Sequence, residues 1–327
     1  MFNGKSLLVT GGTGSFGQSF VNYIIRKYPR INRLVIFSRD ELKQYEMAEQ
    51  FKDKKYNFIR FFLGDVRDKE RLKKAFEKID YIIHAAALKQ VPTAEYNPSE
   101  FVKTNIIGAQ NIIDAAIDTS VKKVIALSTD KAAAPINLYG ATKLCSDKIF
   151  TSANNMTGSK KIIFSVVRYG NVMGSRGSVI PYFKKFENLG YLPITDIRMT
   201  RFNITMNQSI DLVLSAFKSS KGGEIFVPKI PSYRITDLAK AINPKCKIKI
   251  IGIRPGEKLH EEMITSSDSY STFDRGKYYV IINPSNENIF KYYKKNFRRV
   301  PEGFSYNSEK NQDFLTIKKL IFFIKKI

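Results

Sequence analysis

A doubly wound parallel α/β sheet with a smaller C-terminal substrate-binding domain is the fold class that this chain of 327 residues predicts. Three observations carry it. Short β-rich runs alternate with helical stretches from the N-terminus to Arg168, the pattern of a parallel sheet covered on both faces. A glycine cluster falls where the first strand meets the first helix. After Arg168 the rhythm breaks into loops and short elements punctuated by Pro and Gly.

Taken in order, the spacing predicts strands at 6–10, 33–38, 57–62, 81–84, 123–127 and 162–167. Each is mostly apolar, as strands buried on both faces must be. Helices are expected between them at 15–27, 41–50, 69–77, 98–118 and 137–154, where apolar residues recur at helical spacing. The region 171–201 reads as loop-rich, 207–220 as a helix and 224–227 as a strand, with little regular structure beyond Pro228.

Composition narrows the function classes. Apolar residues make up 43% of the chain, enough for a packed core and too many for disorder. Two Cys and two His cannot close a structural metal site, so no metal is expected. No run approaches the roughly 20 apolar residues of a membrane helix, and the start lacks the basic and apolar regions of a secretory leader. A soluble cytoplasmic protein is therefore expected. The net charge of +24 is spread along the chain rather than gathered into one patch, which argues against a nucleic-acid partner. The C-terminal Leu320–Ile324 run between lysine pairs reads as a helix docked on the body rather than an interfacial anchor.

The first candidate site is the turn Thr10-Gly11-Gly12-Thr13-Gly14-Ser15-Phe16-Gly17. Glycines between a strand and a helix let the backbone approach a pyrophosphate, which then meets the amides at the helix start. Gly11, Gly14, Ser15, Phe16 and Gly17 are the candidate contacts. At the end of the second strand, Ser38 and Arg39, followed by Lys43, favour the 2′-phosphate of NADP over the bare ribose of NAD. Asp40 is expected to cap the next helix. Two readings stand open for Asp65 and Val66: contact with the adenine, or a turn capped by the aspartate.

Ser128-Thr129-Asp130-Lys131 closes the fifth strand, and Tyr139 and Lys143 follow four residues apart on one helix face. A cation beside Tyr139 lowers its pKa, and a strand-end hydroxyl polarises a carbonyl or alcohol. With the glycine turn, this set points to hydride transfer. The NADP-binding part is expected to comprise residues 1–170 plus roughly 200–227, and the substrate-binding part 171–199 and 228–327.

On these residues, and on the stretches 84–89, 94–98, 137–148, 167–178, 195–202 and 250–261, the sequence resembles the extended short-chain dehydrogenase/reductase family, whose nucleotide-binding part is Rossmann-type. The resemblance is closer to one branch, the short inverting UDP-N-acetylglucosamine 4,6-dehydratases that open pseudaminic acid synthesis. It implies a homo-oligomer, a hexamer, acting on a UDP-sugar. It also implies that Tyr139 deprotonates the C4 hydroxyl, Lys131 takes the C5 proton, Asp130 protonates the departing C6 hydroxyl, and hydride returns to C6 with inversion at C5. Related retaining dehydratases carry Asp-Glu where this chain has Asp130-Lys131. Lys131 must then be neutral, which calls for a lowered pKa from desolvation and cations such as Lys89; a phosphate-binding or surface lysine is the alternative. Ala86 falls among the cofactor contacts and Lys89 faces substrate and cofactor, unless it is a solvated loop lysine. Asn171, Arg176, Gly177, Ser178, Thr195 and Arg254 match positions that hold the sugar nucleotide, whereas Lys258 is not expected at the site. The chain departs from the branch at Gln90, Ala134 and Asn203. A 4-epimerase or a C5-retaining dehydratase is the competing enzyme reading, and a non-catalytic NADP sensor the competing reading from another class.

Overall fold

The computed structural model describes residues 1–175, 177–186 and 189–326. Its N-terminal half runs β1 (Ser6–Thr10), α1 (Ser15–Lys27), β2 (Arg33–Ser38), α2 (Glu41–Glu49), β3 (Ile59–Leu63), α3 (Lys69–Phe76) and β4 (Tyr81–His84). It continues with α4 (Val91–Tyr96), α5 (Pro98–Phe101), α6 (Gly108–Asp118), β5 (Lys123–Thr129), α7 (Leu138–Ser152) and β6 (Ile163–Tyr169). The six strands pair in parallel in the order β3-β2-β1-β4-β5-β6. The chain therefore leaves β1 in one direction for β2 and later returns to its other side with β4. Ligands of open α/β sheets bind at this reversal, beyond the carboxyl ends of the strands.

Local chemistry explains the elements. All five residues of β1 are buried, because helices cover both faces of the sheet. In α1, Phe20, Val21 and Ile24 turn one apolar face inward, and Arg26 and Lys27 close the last turn, where the helix dipole favours cations. Asp40 caps α2 by accepting the Lys43 amide hydrogen at 3.0 Å, as the sequence predicts. The single helix expected over 98–118 is instead interrupted by a π-helical turn at Val102–Ile107. There Asn105 turns inward, donates to the Leu88 carbonyl at 2.9 Å and to the Thr142 hydroxyl at 3.0 Å, and accepts the Leu88 amide hydrogen. One amide thus ties the loop after β4 to α7.

The second half runs β7 (Asn171–Val172), α8 (Val179–Phe186), β8 (Tyr191–Ile194), β9 (Thr200–Ile204), α9 (Met206–Ser219), β10 (Glu224–Pro228), β11 (Ser232–Arg234), α10 (Ile235–Ile242) and β12 (Lys247–Ile250). It ends with β13 (Glu262–Ile264), β14 (Thr272–Asp274), β15 (Tyr278–Ile282), α11 (Glu287–Asn296), β16 (Arg298–Arg299), β17 (Tyr306–Asn307) and α12 (Ile317–Ile324). The expectation of little regular structure past Pro228 is corrected. β10 pairs in parallel with β6, and β15, β14 and β16 extend the main sheet antiparallel beyond it. Of the residues expected in the smaller lobe, those from Thr272 to Arg299 thus build onto the nucleotide-side sheet. The smaller lobe has its own apolar cluster, centred on Ile180, Phe183, Leu192, Ile194 and Leu238, onto which α12 docks Leu320. No helix among the described residues is long and apolar enough to cross a membrane.

Candidate active site

The two lobes wall one cavity of about 820 Å³ at the reversal point of the sheet. Gly11, Gly14, Ser15, Phe16 and Gly17 line it from the first turn, Lys89 from the loop after β4, and Thr129, Lys131, Tyr139 and Lys143 from β5 and α7. Asn171, Gly177, Ser178, Thr195 and Arg254 line it from the other side. Arg176 lies outside the described residues. Ser38, Arg39, Lys43, Asp65, Val66 and Ala86 do not line this cavity, and Asp130 lies fully buried behind its wall.

The first turn is shaped for a dinucleotide. Gly11 holds φ at +65°, where a side chain is strained, and a Cβ there would stand 2.8 Å from the Ala86 nitrogen. A Cβ at Gly17 would stand 2.5 Å from the Gly12 Cα, so only glycine lets α1 start this close to the strand. Among the described residues, no side chain caps the first turn of α1 and no acidic residue lies in it, which suits an anion. Ala86 is thus the backstop for Gly11. At the end of β2 the Arg39 side chain is 52% exposed and lies 3.8 Å from Asp65, while Lys43 pairs with Asp40. Gln44 fixes this corner by donating to the Ser38 carbonyl and hydroxyl and to the Phe62 carbonyl. Asp65 accepts the Arg67 amide hydrogen at 3.0 Å, the geometry of a capped turn, and Val66 is buried against Gly108. A dinucleotide fits these residues: glycines clear the approach, helix amides face it, and the acid at the end of β2 is occupied as a cap.

The catalytic candidates sit on β5, the single turn after it and α7. Gly140 permits this closeness, since a Cβ there would fall inside contact distance of the Lys131 carbonyl. Asp130 Oδ1 accepts from Thr129 Oγ1 at 2.9 Å and from Lys131 Nζ at 3.0 Å, while Oδ2 has no protein partner among the described residues. Burial pushes the Asp130 carboxyl upward and nearby Glu261 adds to this, outweighing Lys131. Lys131, with 21% of its side chain exposed, also meets Glu261 Oε1 at 3.1 Å. Its expected lowered pKa is corrected. Burial does lower it, but the carboxylates of Asp130 and Glu261 overcome burial and hold the ammonium well above its ordinary value. Lys89 is instead pushed down, by burial and then by repulsion from Lys131.

Tyr139 needs a similar correction. Burial pushes its phenol up to about 12, against the lowering exerted by Lys131 and Thr129. Lys143 does not supply that lowering. Its ammonium donates to the Leu127 carbonyl at 2.8 Å, and burial pulls its own pKa down against the pull of Asp147. Ser128 is committed to Asp147 at 2.8 Å, which leaves Thr129 as the strand-end hydroxyl beside Tyr139. On the far wall, Arg254 holds Glu257 through two hydrogen bonds of 3.0 and 2.9 Å. Lys258, not expected here, lines the cavity and donates to the Ala133 carbonyl at 2.6 Å. Asn203 and Gln90, two of the departures from the branch, both line the cavity. Ala134 holds φ at +43°, a left-handed conformation that is strained for alanine, so this departure carries a backbone cost.

Sequence reasoning missed Glu261, Arg201 and Asp147. Glu261 is 2% exposed, and Arg201 Nε stands 3.6 Å from it. Asp147 binds Arg168 at 3.0 Å, and Arg168 also donates to the Met263 carbonyl. A signal for Asp147 was available: it continues the four-residue spacing of Tyr139 and Lys143.

A reversal-point cavity with a glycine turn on one side and a Tyr-x-x-x-Lys helix face on the other is the arrangement of an extended short-chain dehydrogenase/reductase. The chain belongs to the polysaccharide biosynthesis protein family, whose profile matches residues 7–283. It is 53% identical to a UDP-N-acetylglucosamine 4,6-dehydratase (inverting) of Campylobacter jejuni, with 98% of this chain and 97% of that protein covered. It is 41% identical to a UDP-glucose 4-epimerase of Rickettsia akari, over 98% and 96% of the two chains. Among solved structures, Pen from Bacillus thuringiensis superposes with a TM-score of 0.90 at 38% identity, over 100% of this chain and 98% of that one.

Proposed function

We propose that the protein converts UDP-N-acetylglucosamine to UDP-2-acetamido-2,6-dideoxy-β-L-arabino-hex-4-ulose with NADP, inverting C5, as the first step of pseudaminic acid synthesis. A cytoplasmic homo-oligomer, hexameric as the resemblance implies, belongs to the same reading. The observation that carries it is the Asp130–Lys131 ion pair set against Tyr139 at the cavity wall. A 4-epimerase, the name carried by the Rickettsia relative, expels no water and has no use for that pair.

NADP would supply hydride acceptance at C4 and hydride return at C6. Gly11, Gly14, Ser15, Phe16 and Gly17 would hold its pyrophosphate, Arg39 and Lys43 its 2′-phosphate, and Lys143 its ribose. Tyr139 takes the proton of the C4 hydroxyl, with Thr129 and Lys131 steadying the phenolate. Asp130, held toward its protonated form by burial, donates to the departing C6 hydroxyl. Lys131 rests charged, and transfer of its proton across 3.0 Å to Asp130 leaves a neutral amine and a neutral acid without changing the net charge. Those are the forms that C5 deprotonation and C6 dehydration require. Arg254, Asn171, Ser178 and Thr195 hold the sugar nucleotide, the arginine facing its diphosphate.

Incubating the protein with UDP-N-acetylglucosamine in deuterated water, followed by NMR, is expected to give a 4-keto-6-deoxy sugar carrying deuterium at an inverted C5. A retained C5 would transfer the protein to the retaining class, and a C4 epimer to the epimerases. Arg39→Ala is expected to weaken NADP+ binding roughly tenfold, the worth of one charged hydrogen bond, and to leave NAD+ within about twofold. Calorimetry on cofactor-free protein reads both, and unchanged NADP+ binding would move the 2′-phosphate away from Arg39.

A further inference from the structure

The mechanism leaves the buried acid beside Lys131 without work. Glu261 follows the Arg254 turn and enters from the smaller lobe, yet its Oε1 reaches Lys131 Nζ at 3.1 Å, nearly the Lys131–Asp130 distance of 3.0 Å. It is 2% exposed and its second oxygen, Oε2, has no protein partner among the described residues. The Glu261 amide donates to the Ser308 hydroxyl at 2.9 Å, and the Ser308 amide donates back to the Glu261 carbonyl at 2.8 Å, so the backbone is pinned. Arg201 is aimed at the same oxygen from β9 at 3.6 Å and is itself anchored on the Leu259 and Lys258 carbonyls. A carboxylate fixed this firmly against one amine is placed for that amine.

We infer that Glu261 is the positioning residue of Lys131: it holds the amine at the cavity wall and sets how readily that amine passes its proton to Asp130 and becomes the base for C5. This rests on the dehydratase reading above. The charged and titratable groups around Lys131 are Asp130 beside it, Tyr139 on α7, Arg201 on β9, Tyr233 on β11, Lys89 on the loop after β4, and Lys258 and Glu261 on the returning segment. Glu261 and Asp130 hold the proton on; Arg201, Lys89 and Lys258 work to remove it. Of the two carboxylates, Glu261 stays low despite its burial, because both Lys131 and Arg201 face it, and Asp130 is the one driven up. Glu261 therefore strengthens Lys131 as a proton acceptor while reducing its neutral fraction at low pH.

Two readouts test this. Only a neutral amine is acylated, so trace labelling with acetic anhydride at fixed pH, read by mass spectrometry against the other lysines, reports the neutral fraction at Lys131. Removing the charge in Glu261→Gln is expected to lower the Lys131 pKa by on the order of 1 unit and so to speed its labelling about tenfold. Glu261→Asp keeps the charge one methylene further away and is expected to fall between the two. In turnover, the Lys131–Asp130 pair must keep one proton for Asp130 to donate, so kcat is expected to fall on the alkaline side, and that fall is expected to move about 1 pH unit downward in Glu261→Gln, with a plateau roughly tenfold lower and KM within about twofold. Labelling of Lys131 unchanged in both variants, or a fall in kcat with an unmoved pH profile, overturns the inference. If wild-type protein does not dehydrate UDP-N-acetylglucosamine, the functional reading fails by itself, and the labelling ratio still decides the role of Glu261.

Discussion

Lys131→Ala is expected to lower dehydratase turnover by on the order of 10³-fold, the usual loss when a positioned acid or base is removed, while KM for the sugar nucleotide stays within a few-fold. Lys131 takes its proton at C5, after oxidation at C4, so the variant retains Tyr139, Thr129 and Lys143 for the first hydride transfer, which is slowed by loss of the charge that steadies the phenolate but not abolished. It is therefore expected to accumulate reduced cofactor on mixing with substrate, without deuterium entering C5. Absorbance at the reduced nicotinamide band and NMR in deuterated water read these separately. The truncation also leaves Asp130 and Glu261 facing one another with Arg201 as the adjacent cation, which drives Asp130 further toward its protonated form. Dehydratase activity at the wild-type rate in this variant would remove Lys131 from the mechanism.

The second large effect concerns stability. Asp147 and Arg168 are both buried, and their ion pair joins α7 to β6, while Arg168 reaches on to the Met263 carbonyl of β13. Asp147→Ala leaves a guanidinium inside the protein without its counter-charge and frees the Ser128 hydroxyl that donates to Asp147. Breaking a buried pair from one side costs about 3–5 kcal/mol. Urea unfolding is expected to show that loss as a lower midpoint with an unchanged slope. A loss below about 1 kcal/mol would mean that the buried guanidinium finds water or another partner instead. The helix under strain in this variant carries Tyr139 and Lys143, so activity is expected to fall at temperatures where the fold still holds.

Much of the nucleotide-side lobe was legible because its signals are local. β1, α1 and β2 fall at the residues predicted, since each is an apolar run or stripe bounded by glycine, a cap or basic closing residues. The strands after Pro228 were not legible. β15 is a strand because β10 lies beside it, and such pairing leaves little trace in a short segment. The π turn inside the expected 98–118 helix was hidden for a related reason: Asn105 is drawn inward by Leu88 and Thr142, which are distant in sequence. At the site, residue types and spacings located the glycine turn, Tyr139, Lys143 and the Asp130-Lys131 pair at one cavity. Their charge states were not legible, because the outcome at Lys131 depends on burial set against Asp130 and the sequence-distant Glu261, and that at Tyr139 on burial, all of which take effect only in the folded chain.

The π turn at Val102–Ile107 also carries a message about phase. A wide turn takes up one more residue than the α-helix around it, so α5 and α6 present faces about 100° apart from where an unbroken helix would put them. Phe101 before the turn packs with Ala94 and Tyr139 at the site, whereas Ala109, Ile112 and Ile113 after it pack into the core under the sheet. Deleting a single residue there would leave a better-formed helix whose two halves no longer point at the partners they serve. The irregular turn is thus the register mark that lets one continuous stretch of chain belong to both the catalytic wall and the sheet.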